Sequence, residues 1–372
     1  KIKMATQAMA TATPTVGADV ATTNTNATSS AEGGPIYVDT QHDDMVHDAQ
    51  LDYYGCKLAT SSSDRTVKIY DVAGSAYTHT ATLQGHEGPV WEVSWAHPKF
   101  GVVLASCSFD GSVLIHRESR PHDWTLLHAA RNLHESSVNG VSFAPHEFGL
   151  IAAAASSDGR VSFLTHREDD SWGVEYVRDN ALGVNSVSWS PYVVSSTATA
   201  DEGDGDGGSS PTPPCLRLVT GGCDNRIRVY AKSPVTGQWE METTPIDTSS
   251  HSHSDWVRDV AWAPAVVPGI DVIASCSEDR TVLVWTQKAG EGEEGEPGPW
   301  QPTLLNTFEE PVWKLSWSVT GNILAVSSGD STVTLWKAGL DGTWSQVDTV
   351  DDVGGGGAAG TGAQPGAPAE GQ

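Results

Sequence analysis

One short pattern occurs six times along the chain, and this repetition limits the possible folds more than any other feature. Each copy is an apolar run, then a turn that contains aspartate, then a β-branched run that ends in a bulky residue. The turn aspartates are 46 to 66 residues apart, whereas one four-stranded propeller blade takes about 40 to 45 residues, so the longer intervals indicate loop insertions. The copies read LATSSSDRTVKIYD from Leu58, LASCSFDGSVLIHR from Leu104, IAAAASSDGRVSFLTH from Ile151, LVTGGCDNRIRVYA from Leu218, IASCSEDRTVLVWT from Ile273 and LAVSSGDSTVTLWK from Leu324.

Two further strands flank every copy. A fourth strand follows each hairpin near an aromatic residue, at Tyr77, Trp124, Trp172, Trp239, Trp300 and Trp344. An alternating apolar run precedes each hairpin and predicts the innermost strand of a unit: VHDAQL from Val46, VWEVSW from Val90, VNGVSF from Val138, VNSVSW from Val184, VRDVAW from Val257 and VWKLSW from Val312. Because no amphipathic helical run interrupts these strands, the sequence predicts an all-β fold, a six-bladed β-propeller.

The composition divides the chain into one propeller with polar additions. Residues 1–35 are rich in Ala, Thr and Ser, and residues 351–372 are rich in Gly, Ala and Pro, so we expect a disordered leader and a disordered tail. The propeller is predicted over residues 36–350. Within it, polar stretches near 192–214 and 288–299 are too hydrophilic to pack and predict disordered insertions between strands.

Charge and cysteine usage exclude several kinds of function. The chain has 47 acidic against 21 basic residues and a net charge of -26, which argues against direct binding of nucleic acid. No apolar stretch reaches the roughly 18 residues of a membrane span, so any membrane contact is expected to be indirect. The five cysteines include no CxxC pair, and Cys107 and Cys276 occupy the same repeat position. We therefore predict buried apolar thiols, no metal and no cofactor.

The six copies also resemble the blades of WD-repeat proteins, in which His, Ser or Thr, Asp and Trp form a buried hydrogen-bonded network. Only the fifth unit carries all four, at His253, Ser275, Asp279 and Trp285. A catalytic triad uses similar residues, but a nucleophile site occurs once, whereas this set recurs in register. We therefore predict a structural network and no enzyme. A propeller hydrolase would need a carboxylate or metal cluster at the channel mouth.

Several segments resemble one particular family closely. They are GHEGPVWEVSWAHPKFGVVLASCSFDGSVLIHRE from Gly85, LDYYGCKLATSSSDRTVKIYDV from Leu51, HSDWVRDVAWAP from His253, SEDRTVLVWTQ from Ser277 and GDSTVTLWK from Gly329. This family is the small WD-repeat subunit of the outer COPII vesicle coat, which also serves the Y-shaped scaffold complex of the nuclear pore. The likeness extends roughly from Val46 to Trp344 and includes runs, such as HDAQLDYYG, that propeller geometry does not require.

The resemblance implies an open ring of six blades that an α-helical coat or nucleoporin partner completes in trans by inserting a blade. It implies a non-enzymatic scaffold for transport from the endoplasmic reticulum to the Golgi. The implied locations are the cytoplasm, on COPII vesicles and the reticulum surface, and the nuclear pore. The residues allow an open ring, because the first unit has its own inner strand and the last its own outer strand, which leaves no strand to latch the ring.

If the ring is open, apolar residues of the first and last units are uncovered. We expect Val46, Leu51, Leu335 and Trp336 to contribute to the interface with the partner blade. An equally good interpretation places these four residues in the ordinary core between blades. The alternative function is a generic WD-repeat adaptor whose closed ring presents a peptide-binding surface on its top face, lined by the inner-strand residues His47, Trp91, Asn139, Asn185, Arg258 and Trp313.

Overall fold

The computed structural model describes residues 2–4, 36–193, 215–242, 252–264, 269–289, 298–339 and 343–350. Within these ranges, six antiparallel sheets of four strands follow one another along the chain, and a two-stranded sheet lies ahead of them. We call the four-stranded sheets blades 1 to 6 in chain order. In every blade the strands are hydrogen-bonded in sequence order, so each blade is a simple meander.

The strands of each blade run from the innermost to the outermost. The leading sheet is β1 (Ile2–Met4) with β2 (Ile36–Val38). Blade 1 consists of β3 (Val46–Leu51), β4 (Lys57–Ser62), β5 (Val67–Ala73) and β6 (Ala76–Leu83), and blade 2 of β7 (Val90–Trp95), β8 (Val103–Ser108), β9 (Val113–Arg120) and β10 (Asp123–Ala130). Blade 3 consists of β11 (Val138–Phe143), β12 (Ile151–Ser156), β13 (Arg160–His166) and β14 (Trp172–Arg178), and blade 4 of β15 (Val184–Trp189), β16 (Arg217–Gly222), β17 (Ile227–Lys232) and β18 (Trp239–Met241). Blade 5 consists of β19 (Val257–Trp262), β20 (Ile270–Ser277), β21 (Thr281–Lys288) and β22 (Gln301–Thr307), and blade 6 of β23 (Val312–Trp317), β24 (Ile323–Ser328), β25 (Val333–Ala338) and β26 (Trp344–Val350). Two short 3-10 helices, Pro98–Phe100 and His146–Phe148, follow β7 and β11.

The repeated aspartate forms the hairpin between the second and third strands. In blade 1 the Asp64 carboxylate accepts the N–H of Thr66 at 2.9 Å, and equivalent bonds at 2.9 Å occur in four other blades. The residue after the aspartate has a positive φ in all six blades, a conformation that suits glycine or asparagine. Gly159 is required for space as well, because a Cβ there would lie 2.0 Å from the carbonyl oxygen of Asn180.

The apolar core lies between neighbouring blades rather than within one sheet. Separate clusters of buried side chains join blades 1 and 2, 2 and 3, 3 and 4, 4 and 5, and 5 and 6. Strands in the middle of a blade are therefore buried on both faces, as in Val103–Ser108 and Ile151–Ser156, where every residue is buried. The inner strands begin at the predicted residues, from Val46 in β3 to Val312 in β23.

The leading sheet differs from the sequence expectation. We predicted no spare strand outside the six units, but β2 precedes the first inner strand and pairs with Ile2–Met4, which lies inside the leader predicted to be disordered. The β2 residue Val38 packs with Leu58 and Tyr70 on the side of blade 1 that faces away from blade 2. Residues 5–35 and 351–372, and most of the two predicted insertions, lie outside the described residues. No helix in the described part of the chain is long and apolar enough to cross a membrane.

Candidate partner-binding site

The boundary between blade 6 and blade 1 differs from the other five boundaries of the ring. Among the described residues, no cluster of buried apolar side chains joins these two blades. The last cluster along the chain joins blade 6 to blade 5, and the cluster on the outer side of blade 1 contains only blade 1 and Val38. We call this unpacked boundary the open seam.

Blade 6 is buried on one face only. Along β24 and β25, buried residues alternate with half-buried ones, which is the period of a strand with one covered face. The covered face packs against blade 5. The other face is directed to the open seam and carries Ile323, Ala325, Val333 and Leu335. Ala274 and Val282 occupy the positions of Ala325 and Val333 in blade 5, and both are fully buried because blade 6 covers them.

The inner strand of blade 1 is uncovered in the same way. In blades 2 to 6 the first residue of the inner strand is a valine with 0% exposure, because it packs against the preceding blade. Val46 has this position in blade 1 and is only half-buried. Ala49 is also half-buried, although Val93 and Leu315 at its position are buried. Leu51, at the end of the strand, is 39% exposed.

The four residues predicted for the partner interface therefore do not form one surface. Val46 and Leu51 lie on the blade 1 side of the open seam, and Leu335 lies on the blade 6 side. Trp336 must be removed from this set, since it is 7% exposed and packs in the core between blades 5 and 6. The reason is strand alternation, because neighbouring side chains of β25 point to opposite faces.

Hydrogen bonds connect all four residues of the network predicted for blade 5. His253 Nδ1 is 3.2 Å from a carboxylate oxygen of Asp279, and its Nε2 is 2.8 Å from the Ser275 hydroxyl. The Trp285 indole donates to the same hydroxyl at 2.9 Å. Burial acts to raise the pKa of Asp279, but the bonds from His253 and Thr281 outweigh it and hold that pKa well below its ordinary value. The arrangement fixes the loop before the inner strand to the hairpin of the same blade.

Related networks occur in blades 1 to 4, two of them with substitutions that the sequence analysis missed. Blades 1 and 2 retain histidine, hydroxyl and aspartate. In blade 3, His134 bonds Asp158 at 3.0 Å and Ser162 of the third strand at 2.9 Å, so this hydroxyl replaces the missing one at Ala154. Ser162 is the direct cross-strand neighbour of Ala154. A hydroxyl at this paired position was the sequence signal that could have identified the replacement.

In blade 4 an ion pair takes the place of the histidine. Asp179 accepts the Thr220 hydroxyl at 2.6 Å and the Arg228 guanidinium at 3.1 Å, and Arg228 also bonds the turn carboxylate of Asp224. Asp179 lies one residue before the histidine position, which Asn180 occupies, and it forms a compensating pair with Arg228, the second residue of the third strand. Sequence reasoning that searched for histidine alone could not find it.

The networks predict different costs for the same mutation in blades 5 and 6. Asp279→Ala removes bonds to His253, Ser254 and Thr281 and leaves the buried His253 imidazole without its carboxylate partner, so we expect a loss of about 2 to 3 kcal/mol in the free energy of unfolding. In blade 6, Phe308 stands in place of the histidine. Asp330→Ala should therefore cost under about 1 kcal/mol. Urea unfolding of both variants checks this, and equal losses would show that the histidine contributes nothing.

The central channel contains a cluster of charged side chains contributed by the inner strands. Lys314 of blade 6 forms an ion pair with Glu92 of blade 2 across the channel. Although burial lowers it, the carboxylates of Asp259, Glu92 and Asp48 hold the pKa of Lys314 well above its ordinary value. Burial raises the pKa of Glu92 to about 7 against the influence of Lys314. Channel water still reaches this pair, since the Lys314 side chain is 41% exposed.

The channel widens on one side into a cavity of about 630 Å³ lined by the inner strands of all six blades. At the opposite mouth, four of the six residues of the predicted adaptor surface are paired with one another, and the amides of Asn139 and Asn185 donate to the carbonyls of Val184 and Val257. The Trp91 ring meets His47 edge-on, and the Arg258 guanidinium lies over the Trp313 ring at 4.8 Å. Within the described residues, no three His, Cys, Asp or Glu side chains are arranged to hold a metal ion.

A ring of six meander blades, five of them with an aspartate-centred network, defines a WD-repeat β-propeller. The family model described as "WD domain, G-beta repeat" matches residues 33–71, 77–117, 244–286 and 302–337. Relatives that match 84 to 85% of the chain at 44 to 46% identity show that it belongs to the SEC13 family of protein transport proteins. The matched ranges contain nearly all of the three inner strands of blades 1, 2, 5 and 6, and the inner strands of blades 3 and 4, which they leave out, belong to the two blades whose networks are substituted.

Three relatives illustrate the extent of the similarity. "Protein transport protein SEC13" of Yarrowia lipolytica is 46% identical over 319 residues, which cover 85% of this chain and 100% of the relative. "Protein SEC13 homolog" of Drosophila melanogaster is 44% identical over 84% of this chain and 82% of its own length. "Protein transport protein SEC13 homolog A" of Arabidopsis thaliana is 44% identical over 85% of this chain and 99% of its own.

Proposed function

We propose that the chain is a structural subunit of the outer COPII vesicle coat and of the Y-shaped scaffold of the nuclear pore, with no chemistry of its own. It binds α-helical coat or nucleoporin proteins, each of which inserts a β-blade into the open seam. It acts in the cytoplasm on COPII vesicles at the surface of the endoplasmic reticulum, and at nuclear pores. Its contact with membranes is only indirect, through the coat.

The single observation that carries this proposal is the unpacked boundary between blades 6 and 1. Five boundaries have a continuous apolar core, and at the sixth the equivalent side chains, Ala325, Val333 and Leu335 of blade 6 and Val46 and Ala49 of blade 1, remain half-buried. Uncovered apolar residues beside a free strand edge favour docking of another chain by strand addition or packing. The names of the relatives, "protein transport protein", support a role in transport.

The size of the missing element distinguishes a blade from a short peptide. A blade that fills the open seam has two faces to bury, one against β24 and β25 and one against β3. Such a contact buries more than about 2,000 Å², which is the range of obligate interfaces. A linear peptide laid on one face buries much less, so it leaves half of the seam uncovered.

Hydrogen exchange tests the proposal directly. The chain is co-expressed with the α-helical outer-coat protein of the same organism, and exchange is compared with that of the chain alone. We expect amides of β3, β24 and β25 to be slowed at least tenfold in the complex, since a docked blade covers both sides of the seam. Exchange in β12 and β13 of blade 3 serves as the internal control and should not change. A stable complex with no protection at the seam would contradict the proposal.

A second candidate function is a peptide-binding adaptor, and one observation favours it. Exposed aromatic side chains surround the channel mouth, including Trp313 at 46%, Trp256 at 44% and Phe109 at 61% exposure. The same exchange experiment separates the two functions. An adaptor protects the loops that carry Phe109 and Trp256 and the start of β23, which carries Trp313, and leaves β25 unchanged.

A further inference from the structure

The packed boundaries of the ring have a recurring hydrogen-bond pattern that describes the missing blade. At four of them, the third residue of an inner strand accepts the backbone N–H of the fourth residue in the next blade. The acceptors are carboxylates in three cases and a hydroxyl in one. The bonds are Asp48 to Val93 N–H at 3.1 Å, Glu92 to Val141 N–H at 2.8 Å, Ser186 to Val260 N–H at 3.3 Å and Asp259 to Leu315 N–H at 2.9 Å.

The exception at the remaining boundary has a steric reason. Blade 3 carries Gly140 at the third position, so no side chain is present to bond the next blade. A Cβ at Gly140 would lie 3.1 Å from the Glu92 carboxylate and 3.1 Å from the Asn185 carbonyl oxygen. Glycine therefore makes room for the carboxylate of the preceding blade.

The fifth and sixth positions add two more links of the same kind. The fifth-position hydroxyls of Ser94 and Ser188 accept the N–H of the sixth residue in the next blade, at 3.2 and 2.9 Å. A sixth-position indole donates to the fifth-position carbonyl of the preceding blade, as Trp317 does to Ala261 at 3.0 Å. These links satisfy backbone groups at the free edges of inner strands that are not hydrogen-bonded to each other.

At the open seam the same groups have no partner in the described residues. On the blade 1 side, the N–H groups of Ala49 and Leu51 occupy the positions that donate such bonds elsewhere, and no side-chain acceptor contacts them. On the blade 6 side, the carbonyl of Ser316 has the position that receives an indole elsewhere. Blade 6 also carries Lys314, a cation, at the third position, where the neighbouring blade 5 has Asp259.

These groups specify the chemistry of the incoming strand, and this step rests on the proposed function. We infer that the six residues of the partner's inner strand are, in order, an apolar residue, any residue, an acidic residue, an apolar residue, a residue with a hydroxyl group and an aromatic residue. Its carboxylate accepts the Ala49 N–H and lies beside Lys314, its hydroxyl accepts the Leu51 N–H, and its indole donates to the Ser316 carbonyl. Blade 2 already has this pattern in VWEVSW from Val90. The open seam is thus selective for an acidic third position.

A seventh blade attached to the full chain provides the test. A copy of residues 84–130, which contain blade 2, is appended after Gln372, and exchange is measured with single-amide resolution. We expect at least tenfold slower exchange at Ala49 and in β25 relative to the unmodified chain. Glu92→Ala in the appended copy alone should return the Ala49 amide to within threefold of its original rate while β25 stays protected. Glu92→Gln in the copy retains an acceptor oxygen but loses the charge beside Lys314, so the protection at Ala49 should fall between that of the glutamate copy and that of the alanine copy. Full protection with glutamine would show that the third position needs an acceptor and not an acid.

The matched control is Glu87→Ala in the copy, at an exposed loop position, which should change neither amide. If β25 is protected and Ala49 exchanges at the same rate with Glu92 or alanine in the copy, the acidic third position is overturned and the proposed function stands. If neither β3 nor β25 gains protection from the appended blade or from the coat protein, the proposed function itself fails.

Discussion

Leu335→Glu is expected to weaken binding of the partner blade at least 100-fold while the propeller remains folded. Leu335 lies on the uncovered face of β25, where it is half-buried in the free chain. A carboxylate there remains accessible to water until a blade docks, and docking then buries it against an apolar face. A cost of about 3 kcal/mol for burying an unpaired charge corresponds to roughly a 100-fold change in the dissociation constant.

The control for this prediction is Leu304→Glu, a leucine of β22 that is 45% exposed and belongs to the outer edge of blade 5. Affinity for the coat protein is measured by calorimetry for both variants, and the thermal midpoint of each variant alone is recorded. The expected result is a loss of affinity for Leu335→Glu only, with similar midpoints. If both variants bind as tightly as the unchanged chain, the partner does not use this face.

Lys314→Met is expected to lower the free energy of unfolding by about 2 kcal/mol at pH 8, because it leaves the channel carboxylates without their cation. This figure is below that for a fully buried pair, since channel water screens the charges. Lys337→Met is the control, because Lys337 is an exposed lysine of the same blade. The double change Lys314→Met with Glu92→Gln should recover most of the loss. No recovery would show that packing, not charge, is responsible.

The effect of Lys314→Met should depend on pH, and the pKa of Glu92 gives the direction. Burial raises this pKa to about 7 in the folded chain, above the ordinary value of 4.5. The folded state therefore holds the proton more tightly, and stability from this group falls as pH rises through about 7. Without Lys314 the pKa rises further. The difference between the variant and the unchanged chain should be small at pH 5 and largest at pH 8, and a constant difference would contradict the ion pair.

Most of the fold was predictable because the strands and turns of each blade come from one continuous stretch of sequence. The inner strands, the aspartate hairpins and the aromatic start of most outer strands follow from residues within one repeat, and the structure has all six. The network of His253, Ser275, Asp279 and Trp285 was also readable, because its members recur at fixed spacing in one blade. Blade 1 carried a further signal. Leu51 ends its inner strand where blades 2 to 6 have Trp or Phe, and the indoles at that position contact a preceding blade.

Properties that depend on ring assembly were not predictable from the repeats. Glu92 and Lys314 are 222 residues apart in sequence and become neighbours only across the channel. The sequence shows that Leu335 and Trp336 are both bulky and apolar, but the choice of the face that meets blade 5 placed Trp336 in the core and left Leu335 at the seam. The pairing of Asp179 with Arg228 likewise required the packed blade.

The chain alone determined six blades, their strand boundaries and their turn chemistry, since short-range hydrogen bonds and alternation act within about 50 residues. Tertiary structure decided which boundary stays unpacked, which side chains line it and which charges meet in the channel. The physical reason is that burial between blades depends on the relative placement of whole sheets, and a repeated sequence describes every boundary in the same terms. Apart from Leu51 at the end of the first inner strand, only the packed ring distinguishes the sixth boundary from the other five.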